Sequence, residues 1–228
     1  MVTPPPVADP GEVIPVNKPL TWTSFDVVKK LKGIIKAKKI GHAGTLDPLA
    51  TGLLVICTGK KTKTIPMIQD AEKEYTGTFF LGATTPSFDK ETEHDKEFPI
   101  DHITREMVDE AVSKLTGPIM QVPPMHSAVK KDGKRAYEIA RKGETVELAA
   151  KPVIIKEFEI TGYQLPEIHF RIVCTKGTYI RSLARDLGEL LHNGAHLTAL
   201  CRTRIGEYKL SEAFEIEELR EKYKKEVL

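Results

Sequence analysis

The residue in this sequence best placed to do chemistry is Asp47. It stands in Gly41-His42-Ala43-Gly44-Thr45-Leu46-Asp47-Pro48-Leu49-Ala50-Thr51-Gly52, a run holding three glycines, a histidine, a proline and one carboxylate. The apolar Leu53-Leu54-Val55-Ile56-Cys57 follows at once. Glycine admits backbone angles and close approaches that a Cβ forbids, and Pro48 pushes Asp47 toward extended backbone. The pattern predicts a loop shaped around its carboxylate, then a buried strand. Taken alone, Asp-Pro fits a simple turn better than it fits catalysis. Tyr75, at the start of an alternating run from Lys73 to Gly82, reads on its own as a core or rim residue of a strand, and Arg181 stands just after Thr178-Tyr179-Ile180. An arginine in the first turn of a helix opposes the macrodipole and calls for an acidic partner or a phosphate.

The elements that must position these groups follow from periodicity. Val13–Val16 predicts a short strand, Asn17–Ser24 a turn, and Thr23 or Ser24 an N-cap for a helix from about Phe25 to Ile35, with Phe25, Val28, Leu31 and Ile35 as its buried stripe. After the strand at 53–57, residues 63–68 read as a short helix and 73–82 as a strand. Thr84–Asp89 is a loop, Asp89–Asp101 an exposed connector, and Ile103–Leu115 an amphipathic helix with Thr104 as its cap. Gly117–Ala128 is too rich in proline to be regular. Strands return at 153–163 and 168–174, a helix after the glycine turn at Gly177 buries Leu183, Leu187, Leu190 and Leu191, and a strand region at 195–204 precedes a final charged helix from about Ile216.

The chain has 228 residues, 40% apolar and 29% charged, enough for one large domain or two closely packed subdomains. No apolar run is long enough for a membrane span and the N-terminus lacks a signal-peptide pattern, which predicts a cytoplasmic protein. Cys57, Cys174 and Cys201 read as buried free thiols of a reducing compartment. No zinc spacing exists, and His42 five residues from Asp47 fits no metal motif, so neither metal nor cofactor is expected. Net charge is only +2, but its distribution is uneven. Lys29, Lys30, Lys32, Lys36, Lys38 and Lys39 crowd ahead of the Asp47 loop, and Lys60, Lys61 and Lys63 crowd after its strand, so phosphate contact competes with a plain solvated face. Residues 1–11, rich in proline, predict a flexible tail.

Four segments, in order, resemble one family. Gly41–Pro48 is similar to the catalytic loop of the bacterial tRNA pseudouridine-55 synthases, the TruB family. Asn17-Lys18-Pro19-Leu20-Thr21-Trp22-Thr23-Ser24 resembles its N-terminal turn, with Asn17 for the usual acid and Thr21 where glycine is common. Lys73-Glu74-Tyr75 with a Leu81-Gly82 strand end resembles its second signature, and Lys176-Gly177-Thr178-Tyr179-Ile180-Arg181 its third. Thr84–Asp89 occupies the place of a Thr-Asp-Thr-x-Asp pattern that keeps the final acid, and Gln121–Ala128 resembles the segment that opens a mobile insertion.

The resemblance implies an α+β (mixed α/β) pseudouridine synthase fold. Its central, mostly antiparallel sheet is flanked by helices and loops, and an RNA-clamping insertion lies at about 123–151 within a catalytic domain of 12–228. The insertion's Lys130, Lys131, Lys134, Arg135, Tyr137, Arg141 and Lys142 would form the clamp. The implied reaction is isomerisation of uridine to pseudouridine at position 55 in the T-loop of tRNA, after base flipping. Asp47 would attack C1′ or take the C2′ proton, Arg181 would pair with it, and Tyr75 would line the pocket. Lys18, His42, Asp89, Tyr179, Leu183 and Leu200 would contact substrate or complete the site, with His42 as the wedge that occupies the vacated stack. The partner implied is the tRNA T-arm stem-loop, met by a monomer that needs no protein partner and no membrane. The family's small C-terminal RNA-binding domain has no counterpart before Leu228. The remaining alternatives are a related synthase on another RNA, with or without a guide RNA, and a non-catalytic RNA-binding or RNA-folding module.

Overall fold

The computed structural model describes residues 10–127, 129–131, 133–140, 144 and 146–225. In chain order these form β1 (Val13–Lys18), α1 (Ser24–Ile35), β2 (Ile40–Ala43), β3 (Ala50–Thr58), a 3-10 turn over Gly59–Thr64, α2 (Ile65–Asp70) and β4 (Lys73–Leu81). There follow β5 (Ala83–Thr84), β6 (Lys96–Glu97), α3 (Arg105–Lys114), β7 (Gly117–Gln121), β8 (Lys130–Lys131), β9 (Lys134–Arg135), α4 (Ala136–Ala140), β10 (Lys151–Gln164) and β11 (Glu167–Cys174). The chain closes with α5 (Ile180–Leu190), β12 (Ala195–Ile205), β13 (Tyr208–Lys209) and α6 (Ile216–Lys225). Two compact units result: a first from residues up to Ala71 together with Cys201 onward, and a second from Glu72–Leu200. The tail at 1–9 and the clamp's Arg141 and Lys142 lie outside the described residues, as do the side chains of Lys130, Lys131, Lys134, Arg135 and Tyr137.

In the first unit, β3 is the centre. It pairs antiparallel with β1 (Val16 opposite Leu54) and with β2 (Ala43 opposite Val55). Leu54 and Ile56 point into a core with Val27, Val28 and Leu31 of α1 and Ile216 and Leu219 of α6. Leu53, Val55 and Cys57 point the other way, into a core with Ala43, Ile68 and Ile205. Burial on both faces is why the sequence there is a continuous apolar run rather than an alternation.

Helix α1 starts on a capping box: the Thr23 side chain accepts from the Asp26 N–H and the Asp26 carboxylate from the Thr23 N–H. Its buried stripe is Ser24, Val27, Val28 and Leu31, whereas Phe25 is 69% exposed. The expected stripe is therefore turned. Ser24, not Phe25, faces inward, because its hydroxyl bonds the backbone of Leu46.

The second unit is an antiparallel sheet in the order β4-β11-β10-β7. Phe79 and Phe170 stack with centroids 4.1 Å apart, and Phe158 meets Phe79 edge-on at 6.2 Å. Residues 117–121, expected to be irregular, form strand β7, paired with β10 (Ile119 opposite Val153). As the last strand of its sheet β7 tolerates Pro118, which an inner strand would not. In α5 the buried face holds Leu183 and Leu187, with Leu191 just beyond it, but Leu190 is 39% exposed. Asp89, expected to open an exposed connector, is buried. No helix among the described residues is long and apolar enough to cross a membrane.

Candidate active site

Asp47, Lys18 and His42 belong to the first unit, and Tyr75, Asp89, Tyr179, Arg181, Leu183 and Leu200 to the second. Asp47 sits in the loop that joins β2 to β3, and that loop is fastened at almost every peptide. The Leu46 N–H donates to Ser24 Oγ (2.9 Å), whose hydroxyl donates to the Leu46 carbonyl (3.2 Å). The Thr21 N–H donates to the Pro48 carbonyl (2.9 Å) and the Ala50 N–H to the Asp47 carbonyl (3.1 Å). Arg202, on β12, donates from Nη2 to the Gly44 carbonyl (2.9 Å) and from Nε to the Leu53 carbonyl (2.8 Å). The half-buried Asp47 side chain is thus carried on a backbone with little freedom to move.

Two glycines make room for this. Gly44 has φ +80°, and an added Cβ would lie 3.4 Å from Arg202 Nη1. Gly52 has φ +96°, and a Cβ there would lie 2.4 Å from the Arg202 carbonyl oxygen. Thr21 shows what happens without glycine: it takes φ 71°, costly for a β-branched residue. The bond to Pro48 holds it there.

Lys18 is fully buried. Its ammonium donates to the carbonyls of Trp22 (2.6 Å), Pro19 (3.0 Å) and Pro48 (3.4 Å). With no exposed atom to offer a ligand, it supports the loop rather than touching substrate. Burial lowers its pKa to about 8, against the attraction of Asp47 and with a further push from Arg202. The folded chain therefore releases this proton before the unfolded chain does. Between about pH 8 and the ordinary lysine range the unfolded state binds more protons, so stability rises with pH. Urea melts from pH 7 to 10 are expected to show the wild type gaining on Lys18→Met across that window. A neutral amine has two protons for three carbonyls, so the long bond to Pro48 is the first to go and turnover declines above pH 8.

His42, half-buried, lies 3.2 Å through Nε2 from Thr45 Oγ1. Burial first, and then Arg202, lower its pKa, which keeps the ring neutral at pH 7.

In the second unit Arg181 is 4% exposed. Its Nε lies 3.5 Å from Asp89 Oδ2, Nη1 donates to the Ser87 carbonyl (3.3 Å) and Nη2 to the His126 carbonyl (2.9 Å). Asp89 is itself held: its Oδ1 accepts from Ser87 Oγ (2.6 Å) and from the Glu91 N–H (2.9 Å). This buried carboxylate answers the electrostatic need of a cation at a helix start. Tyr179 precedes α5 without capping it by its side chain. Instead Gln121, from β7, accepts from the Tyr179 N–H (2.8 Å) and donates to its carbonyl (3.2 Å). Tyr75 is buried on β4 opposite Ile172. Leu183 is fully buried in α5, while Leu200 on β12 is half-buried.

Arg202, Ser24, Ser87 and Gln121 all escaped sequence reasoning. Arg202 alone left a trace, sharing a strand face with Leu200 by the period of two. Among the described residues no group of three His, Cys, Asp or Glu is placed to hold a metal. Cys57 and Cys174 are buried and Cys201 half-buried, none in a disulfide.

Comparison with known proteins adds the following. The TruB family pseudouridylate synthase N-terminal domain matches residues 32–180, and the tRNA pseudouridylate synthase B C-terminal domain matches 181–227. Proteins named tRNA pseudouridine synthase B from Phocaeicola vulgatus and Flavobacterium johnsoniae are 57% and 56% identical to this chain over 213 residues. They cover 91% and 90% of it and 91% and 93% of themselves. Among solved structures, a Cbf5-Nop10-Gar1 complex contains a chain that superposes with a TM-score of 0.75 at 28% identity, over 95% of this chain and 56% of that one. An H/ACA RNP bound to a substrate RNA containing 2′-deoxyuridine gives 0.71 at 25%, over 95% and 55%. The present chain spans about half of those two. Architecture and neighbours together define a pseudouridine synthase fold. The chain belongs to the TruB family of pseudouridylate synthases.

Proposed function

We propose that this chain isomerises uridine to pseudouridine in tRNA, at position 55 of the T-loop, with Asp47 as the essential carboxylate. The observation that carries the reading is the Asp47 loop: a carboxylate in a family signature, on a backbone fixed by Ser24, Lys18, Thr21 and Arg202. The N1–C1′ bond must break and a C5–C1′ bond must form. Asp47 either attacks C1′, expelling the uracil as an anion, or removes the C2′ proton to give a glycal. On the first route C5 of the turned uracil attacks C1′ and displaces the Asp47 carboxylate; on the second C5 bonds to C1′ and the Asp47 carboxylic acid returns its proton to C2′. In both the C5 proton leaves and N1 is protonated, so no redox partner is consumed.

Arg181 serves as the charge partner of this chemistry, oriented by Asp89 and by two carbonyls. Tyr75 offers the ring against which the detached base turns, and serves as the base that takes the C5 proton. Tyr179, Leu183 and Leu200 complete the walls. His42, neutral and half-buried beside the loop, fills the stack left by the flipped uridine. The exposed lysines around α1 and the Gly59–Thr64 turn hold the RNA backbone by charge rather than sequence. Identity of 54–57% with proteins named for tRNA, against 28% with the Cbf5 chain, favours a stand-alone tRNA enzyme over a guide-dependent one. On this reading the protein is a cytoplasmic monomer and residues 12–228 act as one catalytic domain.

The test is tritium release from an unmodified tRNA transcript labelled at C5 of uridine. Release is expected from the natural sequence, and none above background once the T-loop target uridine is replaced by cytidine. Equal release from both transcripts would move the activity to another uridine or another RNA.

A further inference from the structure

Apart from the catalytic loop, the first unit carries a groove of about 750 Å³ along α1, closed on one side by Arg220 of α6. Thr21, Trp22, Asp26, Lys29, Lys30 and Gly33 line it; no side chain assigned to the chemical step does, and its two lysines belong to the α1 set that meets the RNA backbone. Three features of this groove point to a ligand.

The first is charge. Lys29 and Lys30 have no carboxylate within ion-pair distance among the described residues. The one acid in the groove, Asp26, accepts from the Thr23 N–H (2.9 Å) and hydroxyl (2.6 Å), and feels Lys29 as a weaker, through-space attraction. Arg220 adds a third cation, tethered to Glu217.

The second is Gly33. A glycine inside a helix costs about 1 kcal/mol relative to alanine. Here nothing demands one: its φ is ordinary and an added Cβ would meet no atom within 4 Å. What the missing side chain does is leave the groove floor open beside the two lysines.

The third is continuity with the site. The Trp22 carbonyl accepts from Lys18 (2.6 Å), which also reaches Pro48, and the neighbouring Thr21 N–H bonds the Pro48 carbonyl. One groove wall is therefore bonded directly to the loop that carries Asp47.

We propose that this groove is a second RNA contact, holding a phosphodiester of the substrate on Lys29, Lys30 and Arg220 with the adjoining base against the Trp22 ring. The inference rests on the reading that the chain acts on tRNA. Cations beside an aromatic face and an open floor match a flat base on an anionic backbone, and a contact away from the reacting uridine contributes to binding rather than to the chemical step.

Trp22 is the only tryptophan in the chain, so its emission reports on the groove directly. Unmodified tRNA is expected to quench it. Gly33→Leu sets its Cβ in open space with better helix propensity, so the variant is expected to stay folded while its side chain occupies the groove floor; urea melts check this. It should abolish the quench and raise KM about tenfold while kcat stays within about twofold. Lys29→Glu with Lys30→Glu should raise KM as well and flatten the dependence of log Kd on log salt by about two. A quench that survives in Gly33→Leu, or wild-type turnover with Trp22 emission unmoved by tRNA, overturns the proposal. Quenching by polyglutamate but not by tRNA overturns it in favour of an acidic protein partner. Failure of the underlying reading looks different: the wild type then neither binds nor converts tRNA.

Discussion

Asp47→Asn is expected to lower kcat by about 10⁴-fold or more, the scale seen when a reacting side chain is removed, while leaving tRNA affinity within about threefold. The asymmetry follows from how the loop is held. The bonds that fix it run to the carbonyls of Gly44, Asp47, Pro48 and Leu53 and to both peptide groups of Leu46. These bonds run through the backbone, and the Asp47 carboxylate adds only its attraction to Lys18, which asparagine gives up. Asparagine keeps the shape and the volume but can neither form a ribosyl ester nor accept a proton from C2′. Single-turnover tritium release together with filter binding on the same tRNA separates the two effects. If binding collapsed along with turnover, the carboxylate would be a structural part of the loop, and the assignment of Asp47 to the chemical step would lose its support.

Much of this architecture was legible in the residue pattern because the signals are local. The Thr23 cap, the apolar run of β3, the alternation of β11 and the glycine turn before α5 each lie within a short window, and each element stands close to where it was expected. What the pattern hid was set by partners far away in the chain. Phe25 looks like the first buried residue of α1, but the long-range bond from Ser24 to Leu46 turns the helix and leaves Phe25 in solvent. Residues 117–121 look too proline-rich for a strand, and become one because β10 offers an edge that needs no N–H from Pro118. Lys18, which the resemblance assigns to substrate contact or to completing the site, has its ammonium surrounded by three carbonyls. For long cationic side chains, type says little about direction: the same lysine suits a solvated face or a buried bracket, and only tertiary structure distinguishes them.

Arg202 belongs to the same hidden class, and its removal is expected to cost both stability and turnover, the latter less than loss of the Asp47 carboxylate does. The guanidinium is 1% exposed and joins the two ends of the catalytic loop, Gly44 before it and Leu53 after it. Arg202→Met would leave both carbonyls without their charged donor. At about 1.5–3 kcal/mol for each such bond, and with the cost of burying the cation relieved, a stability loss of about 3 kcal/mol is expected in urea. The loop would then relax, and a displacement of about 1 Å at a reacting group is enough for a loss on the order of 10²-fold in kcat. Arg202→Lys keeps the charge but replaces a planar fork with a single point donor that cannot span both carbonyls, so it should recover stability more fully than turnover. A positioning role also predicts a signal that lost stability alone would not produce. Arg202 helps to hold the His42 pKa below the ordinary histidine range, so the His42 resonance in Arg202→Met should titrate at higher pH than in the wild type, whereas Arg202→Lys should retain most of the depression. An unchanged His42 titration with full turnover in Arg202→Met would show that the loop keeps its shape without the bracket, and that Ser24, Lys18 and Thr21 suffice to present Asp47.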